Sequence, residues 1–446
     1  MTFTGTKALV VGMKLSGMAS AELLARHGAE VRATDLKPLD ALPGAGDLLD
    51  RLRIPFALQT PAVFEGCDLI VLSPDVPADL APLEQARRRG VRVIGEVELA
   101  APFLEGRTIG ITGSNGKTTT TSLIGHILLA AGLPAQVGGN IGKPVAAMVD
   151  ASRAGGWNVL ELSSFQLETI SVFRAHIALA LNVTQNHLDR HRTFENYAAA
   201  KARLFETQRA GDFAVLNAED PVCVSYAART AAAVEWFSGV RTVSPGASLC
   251  GDNLMLDGEF LMTAGEVPIR GRHNVENALA ASIAASRAGV APPAIAAAVR
   301  TFQAVEHRLE FVRRVGGVGF YNDSKATSVD ATLKALSAFT GGLWVILGGK
   351  DKGLDYSVLR EPLAARAHAA LLIGAAAGKI ADQLRGAVPL VDAKTLDAAV
   401  AHAYEHAGPG DTVLLAPACA SFDQFRSFEH RGEVFKRIVG RLEPKN

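Results

Sequence analysis

The stretch Ile111–Thr121 reads ITGSNGKTTTT, with Lys117 and Thr118 directly after a turn of small residues. An apolar run precedes the turn and a helical pattern follows it. Free backbone N–H groups and the positive end of a helix dipole would then converge on one point, which suits a phosphate. In that arrangement Lys117 reaches the outer phosphates and the Thr118 hydroxyl binds magnesium. Phosphate loops usually read G-x-x-x-x-G-K-[ST]. Here Gly113 to Gly116 gives the shorter G-x-x-G-K-T, and Ile111 stands where the first glycine would be. The competing reading is an ordinary glycine turn capped by threonines.

Other chemistry-bearing residues lie at the ends of apolar runs. Glu161 ends NVLE, and a carboxylate on a strand next to a phosphate loop is well placed for magnesium. Without that loop it reads as a strand-end glutamate facing water. In NVTQNHLDRH, His187 and His191 are four apart, but Leu188 stands where a zinc protease motif has its glutamate. His187 stays open between a structural role and a metal ligand beside the phosphates. Lys201, in the helical stretch NYAAAKARLFE, reads by itself as a solvated helix lysine. Asn274 and Asn277 share one helical face, either to read a purine edge or, near the helix start, as a cap. YNDSKAT (321–327), LGGKDKG (347–353) and APACASFDQF (416–425) each follow an apolar run. Ligands of open α/β sheets bind at the carboxyl ends of strands, so these clusters predict a second substrate site, with charge from Lys325 and Lys352. GMKLSG (12–17) has Lys14 in place of the middle glycine of G-x-G-x-x-G, while Asp35 ends the next strand. That favours a nucleotide-shaped crevice that is not for NAD.

These residues require alternating strands and helices. KALVVG, MASAELLARHG and EVRATD form a β-α-β unit, and CDLIVLSP and VRVIGEVEL read as further buried strands. RTIGITG, NVLELSS, IALALNVT and FAVLNAED are the strands of a second unit, which the helix NVENALAASIAASRAG closes. VGFYNDS, LWVILGG, ALLIG and DTVLLAPA build a third. The expected fold is three consecutive α/β domains over 1–98, 99–305 and 306–446. The outer two are Rossmann-like and the central one P-loop ATPase-like.

Composition agrees. A chain of 446 residues has room for about three domains. At 48% hydrophobic but 6% aromatic, the cores must be aliphatic and alanine-rich. The net charge of +0 argues against nucleic acid as a partner but leaves anionic small molecules open. Cys67, Cys223, Cys250 and Cys419 form no C-x-x-C pair, which fits free thiols in a reducing cytoplasm. No signal peptide pattern opens the chain, and no apolar run reaches the ~18 residues of a membrane span.

Taken together, TGSNGKTTT, ELSSFQLE, NVTQNHLDRH, YAAAKARLFE, HNVENALAA, HRLE, NDSKAT, LGGKDKG and PACASFDQF…FEHRGEVF resemble, in order, the blocks of the Mur ligases. These are the ATP-dependent amide-forming enzymes of peptidoglycan synthesis, and the resemblance covers essentially the whole chain. Its shortened phosphate loop explains the spacing above. ELSSFQLE, NDSKAT and PACASFDQF are most similar to the D-glutamate-adding branch. The resemblance implies that UDP-N-acetylmuramoyl-L-alanine lies near Leu15, Ser16, Asp35 and Leu36, with Asn140 nearby, and that Ser163 and Gln166 also bind substrate. It implies ATP on Gly113, Ser114, Asn115, Gly116, Lys117, Thr118, Thr119, Asn274, Asn277, Arg308 and Asp323. Magnesium would occupy two sites, one on Thr118 and Glu161, the other on His187 and a carbamylated Lys201. Lys325, Thr327, Lys352, Ser421 and Phe428 would position D-glutamate. Lys117, His187, Lys201 and Lys325 are the implied catalytic set, in a cytoplasmic monomer. Two positions depart from the family's pattern: Lys14 where glycine is common, and Asp75 in place of the glycine of an S-P-G turn. The D-N-P-[RK] motif of the diaminopimelate-adding members is absent, and the late phosphate loop disfavours a folylpolyglutamate synthase. Another Mur-type amide ligase, a P-loop kinase or NTPase, and an NAD-binding module are the alternatives.

Overall fold

The computed structural model describes residues 2–303 and 305–444. The backbone forms two compact units. One runs to Glu266 and includes Glu276–Arg300; the other comprises Val267–Val275 and the chain from Thr301 onward.

The first unit holds two sheets. Strands β1 (Lys7–Val11), β2 (Glu30–Asp35), β3 (Phe56–Leu58), β4 (Leu69–Leu72) and β5 (Arg92–Gly95) pair in parallel in the order β3-β2-β1-β4-β5. Ala8 to Val11 are at most 1% exposed, as a strand covered on both faces requires. The chain reverses its winding between β1 and β4, which opens a crevice at their carboxyl ends. The helix Leu15–Arg26 follows β1 and packs very close to it. A Cβ on Gly17 would stand 1.7 Å from the Gly12 carbonyl oxygen, so only glycine fits there.

The run VRVIGEVEL, expected as one strand, divides at Gly95; Glu96–Ala100 is helical. The acids within it explain why. Glu98 accepts N–H bonds from Ser171, Val172 and Phe173 at 2.9–3.1 Å. Glu96 accepts the Ala146 N–H at 2.5 Å. Both are 1% exposed. Backbone donors of the following segment therefore decide this conformation.

The second sheet contains β6 (Arg107–Thr112), β7 (Ala135–Gly139), β8 (Trp157–Glu161), β9 (Ile177–Ala180), β10 (Phe213–Asn217), β11 (Ala233–Ser238), β12 (Gly246–Cys250), β13 (Asn253–Leu256) and β14 (Glu259–Thr263). Its order is β14-β13-β12-β11-β10-β9-β6-β8-β7. From β7 to β12 it is parallel, whereas β12, β13 and β14 form antiparallel hairpins. β6 therefore sits among β8 and β9, with Glu161 and the 181–187 segment on either side of the loop that follows it.

The second unit is built on β15 (Glu310–Val315), β16 (Val318–Asn322), β17 (Leu343–Gly348), β18 (Ala367–Ile373), β19 (Leu390–Lys394) and β20 (Thr412–Leu415). They run in the order β15-β16-β20-β17-β18-β19. Only β15 is antiparallel to its neighbour. The adjacent strands β16, β20 and β17 thus bring NDSKAT, PACAS and GGKDKG to one edge. Among the described residues no helix is long and apolar enough to cross a membrane. All four cysteines are free thiols.

Glu96 yields a stability prediction. Burial raises its carboxyl to about 7 from 4.5, so the folded chain keeps a proton that the unfolded chain releases. Stability is then full below pH 4.5 and falls as pH rises through 7, by at most about 3 kcal/mol. Glu96→Gln is expected to remove this loss. Urea midpoints should be close at pH 5 and favour the variant at pH 8; parallel curves would refute the assignment.

Candidate functional site

The loop after β6 is shaped by glycines and by its own side chains. Gly116 has φ +83 and caps the helix Lys117–Ala130. The Lys117 ammonium lies 2.9 Å from the Gly113 carbonyl oxygen and 3.2 Å from that of Ser114, arched over the loop. Thr118 donates its hydroxyl to Glu161 Oε2 at 2.6 Å, and both residues are buried. Asn140 donates Nδ2 to Glu161 Oε1 at 2.8 Å and its N–H to the Glu161 carbonyl at 2.8 Å. Thr119, the next residue of that first turn, is buried as well.

Ser114 is engaged within the protein. Its N–H donates to the Asn182 carbonyl at 2.8 Å, and its hydroxyl contacts the Thr184 carbonyl at 2.9 Å and Tyr197 Oη at 3.0 Å. Asn115 is gripped by Asn182, whose Oδ1 accepts its N–H at 2.9 Å while Nδ2 donates back to its carbonyl at 3.1 Å. These two residues hold the loop open from behind.

Lys201 departs most from its reading as a solvated lysine: it is 1% exposed. Its ammonium lies 2.9 Å from the Gly113 carbonyl oxygen, the same atom that Lys117 holds at 2.9 Å. The Tyr197 ring lies 4.6 Å away. Burial first, and then the charge of Lys117, holds this amine well below the usual lysine range. His187, at φ +53, packs edge-on against Phe165 at 4.9 Å and lies 6.3 Å from the same Tyr197 ring. His191 instead turns to Ser164 Oγ at 2.9 Å and Glu168 at 3.3 Å, which is a structural arrangement.

Tyr197 therefore joins Ser114, His187 and Lys201, and sequence reasoning missed it. The signal was the i, i+4 spacing from Tyr197 to Lys201 on one helix face.

A cavity of about 810 Å³ opens at the carboxyl ends of β1, β2 and β4. Leu15, Ser16, Asp35, Leu36, Asn140 and Gln166 all line it. Leu15 and Leu36 form an exposed apolar lip. The Asp35 carboxylate accepts the Met13 N–H at 2.7 Å and the Lys37 N–H at 2.9 Å, so it shapes the crevice from below. Ser163 is not among the lining residues; it caps the short helix carrying Gln166 through a reciprocal side-chain and backbone pair. The two departures from the family pattern turn out to be partners, since Lys14 Nζ lies 2.6 Å from Asp75 Oδ2.

In the second unit, Lys325 sits 4.9 Å over the Phe428 ring, and Lys352 donates to the Thr327 carbonyl at 3.0 Å. Ser421 is buried in the neighbouring loop. The five residues expected at an amino acid thus come from adjoining loops and the helix Phe428–Gly440. Asp323 is buried and raised to about 7, by burial first; the Arg308 charge opposes the rise. Asn274 donates to the Arg270 carbonyl at 2.7 Å. Asn277, in the first unit, lies so near Gly116 that a Cβ there would meet its Oδ1 at 2.5 Å.

The donor set fits a hard divalent cation. Among the described residues no three His, Cys, Asp or Glu side chains are grouped to hold a metal. Magnesium needs few protein ligands beside phosphate oxygens, and the paired Thr118 and Glu161 oxygens supply such ligands. A lysine over a phosphate-binding loop, a threonine–carboxylate pair and a depressed second lysine suit an enzyme that draws charge from a nucleoside triphosphate.

Family profiles match three stretches: Mur ligase MurD-like, N-terminal domain over 6–95; Mur ligase middle domain over 111–285; and Mur ligase, glutamate ligase domain over 307–419. The UDP-N-acetylmuramoylalanine–D-glutamate ligase of Solibacter usitatus (strain Ellin6076) is 78% identical over 446 residues, covering 100% of both chains. The ligase of the same name from Acidobacterium capsulatum is 52% identical, covering 98% of this chain and 97% of its own. Among solved structures, UDP-N-acetylmuramate-alanine ligase MurC of Thermotoga maritima matches with a TM-score of 0.61 at 18% identity, over 98% of this chain and 99% of that one. A pseudomurein peptide ligase of Methanothermus fervidus matches equally, at 0.61 and 18%, over 98% of this chain and 100% of its own. The chain belongs to the Mur ligase family. It is an ATP-dependent enzyme that forms amide bonds.

Gly116→Ala tests the loop. At φ +83 and with Asn277 Oδ1 at 2.5 Å, the added methyl is strained and must push that side chain away. ATP affinity should fall at least about tenfold and stability by roughly 1–2 kcal/mol. Calorimetric titration and urea melts measure both; unchanged affinity would mean that ATP does not use this loop.

Proposed function

We propose that the chain joins D-glutamate to UDP-N-acetylmuramoyl-L-alanine in the assembly of peptidoglycan precursors, acting as a cytoplasmic monomer. Residues 1–98 take the uridine nucleotide, 99–305 take ATP, and 306–446 take the amino acid. The choice of amino acid rests on whole-length likeness to ligases named for that addition. The structural observation that supports the chemistry is the pair of lysine Nζ atoms on the single Gly113 carbonyl.

Forming an amide from a carboxylate requires activation, and a carboxylate and a terminal phosphoryl group repel. Lys117, held over the loop, draws that phosphoryl charge toward the protein as the substrate carboxylate attacks the terminal phosphorus; the bond to the β-phosphate breaks, giving an acyl phosphate and ADP. Thr118 and Glu161 would hold magnesium, which would supply positive charge against the phosphates. The amino group of D-glutamate then attacks the acyl carbon, and phosphate leaves. Lys325, Thr327, Lys352, Ser421 and Phe428 orient that amino acid. Leu15 and Leu36 give the uracil ring apolar faces, with Ser16, Asp35, Asn140, Ser163 and Gln166 arranging the polar contacts. Asn274, Asn277, Arg308 and Asp323 serve the nucleoside of ATP.

Burial, and then the charge of Lys117, favours the neutral amine at Lys201. A neutral amine adds to CO2; the N–C bond forms and the amine proton leaves to solvent. The resulting carbamate carries negative charge, which Lys117 and a second magnesium shared with His187 would stabilise.

Phosphate release should require D-glutamate together with the uridine substrate. Full ATP turnover without D-glutamate would favour a kinase or free NTPase. A panel of D-glutamate, L-glutamate, L-alanine and diaminopimelate decides the amino acid. Lys201→Ala should lose about 10²-fold or more in kcat and regain activity with acetate or propionate. A fully active variant, or one that short carboxylic acids and CO2 both fail to rescue, would remove the carbamate.

A further inference from the structure

Among the described residues Arg431 is the largest fully buried side chain, at 0% exposed. Among the described residues no carboxylate lies within ion-pair distance of it. Its guanidinium donates Nε to Ser324 Oγ at 3.0 Å, and Nη2 to the carbonyls of Ser324 at 2.8 Å and Cys419 at 3.2 Å. Nη1 is buried without a hydrogen-bond partner. It lies beside Gly349, where an added Cβ would stand 3.2 Å from it. Ser324 in turn donates its hydroxyl to the Phe428 carbonyl at 2.7 Å.

These contacts lie on the three loops that leave β16, β17 and β20, adjacent strands of one sheet. Ser324 precedes Lys325, Gly349 is three residues before Lys352, and Cys419 is two before Ser421. Phe428 is one turn before Arg431 on the same helix. Every residue proposed to orient the amino acid is thus within three residues of a group that Arg431 touches, or on its own helix.

Burying a guanidinium without a carboxylate is costly, and a neutral side chain could tie the same carbonyls less expensively. Asp423 acts on this charge only from beyond ion-pair distance, so the guanidinium remains available to a further anion arriving nearby. Burial lowers Arg431 to about 10, so it stays cationic at neutral pH, and its field bears on Lys352.

We infer that Arg431 is the positioning residue of the amino-acid site: it fixes the three loops relative to one another and supplies, from beneath, positive charge that favours a dicarboxylic amino acid over a neutral one. This rests on the reading of 306–446 as the amino-acid domain. As a nucleophile the amino acid must present a neutral amine, so D-glutamate then carries two uncompensated carboxylates. Lys325 and Lys352 carry positive charge on the loops above, and Arg431 adds its charge from the buried side.

The test uses the full chain with Arg431→Met, Arg431→Lys and Ser324→Ala, and with Lys352→Ala and Ser421→Ala as site controls. The KM values for D-glutamate, ATP and the uridine substrate are measured, along with the preference for D-glutamate over D-glutamine. Arg431→Met should raise the D-glutamate KM about 30-fold and reduce that preference about tenfold, with the ATP and uridine KM values within about threefold. Arg431→Lys should recover part of the preference, since it keeps the charge. If Arg431→Met does not fold, Ser324→Ala decides, with an expected rise of about 3–10-fold in the D-glutamate KM alone. An unchanged D-glutamate KM in the folded variants, or an equal rise in all three KM values, would overturn the inference. If the two controls also leave the D-glutamate KM unchanged, the reading of the domain fails instead.

Discussion

Crowding of positive charge at one carbonyl oxygen organises the catalytic half of this protein. Lys117 and Lys201 reach Gly113 from different helices, and both rest 2.9 Å from its oxygen. Lys117 is held by the loop that it completes. Lys201 is held by burial and by the Tyr197 ring below it. The depressed pKa of Lys201 follows from burial and from the charge of Lys117 rather than from any special property of lysine.

The surrounding polar network consists of backbone groups served by side chains. Asn182 grips Asn115, Ser114 binds Thr184, and Asn140 spans Glu161 through both its side chain and its N–H. Glu161 is the shared element. One oxygen faces Thr118 beside the phosphate loop, and the other faces Asn140, which lines the first-domain cavity. The same carboxylate thus links the loop after β6 to the cavity at the carboxyl ends of β1, β2 and β4. Glu96 and Glu98 continue this pattern by binding backbone N–H groups of the segments that follow.

Much of this was legible in the sequence because the parallel strands are buried on both faces and read as unbroken apolar runs ending in polar clusters. Leu15, Ser16, Asp35, Leu36, Asn140 and Gln166 were expected at one ligand, and they line one cavity. The edge of the second sheet was not read. Its hairpins β12–β14 are short and only partly buried, although the Asp257–Gly258 turn, at φ +51 and +86, is a hairpin signal. The strand was extended past Gly95 because apolar periodicity cannot sense backbone donors elsewhere in the fold. The burial of Lys201 was illegible for a related reason. In an alanine-rich helix the inward face is fixed by what packs on it, here Gly113 and Tyr197. Lys14 and Asp75, read as unrelated departures, lie 61 residues apart in sequence and become partners only when β1 and β4 pair.

The chain balances its charges to zero overall, yet it buries one basic side chain beside the phosphate loop and one beneath the loops of the second unit, and among the described residues neither has a carboxylate in ion-pair reach. The two residues differ in what they can become. Lysine can release its proton, and a neutral amine can take up CO2 and reverse its sign; Lys201 is placed where that release is favoured. Arginine cannot release its proton at any pH at which the protein functions, so Arg431 remains a fixed charge among carbonyls. Where phosphate is to be handled through metal ions, a convertible residue is useful, because metals require negative ligands. Where an amino acid's carboxylates are to be held, a permanent cation is useful, because the site must stay attractive while the substrate amine loses its own proton. Exchanging the two residue types would defeat both sites even if the packing were kept.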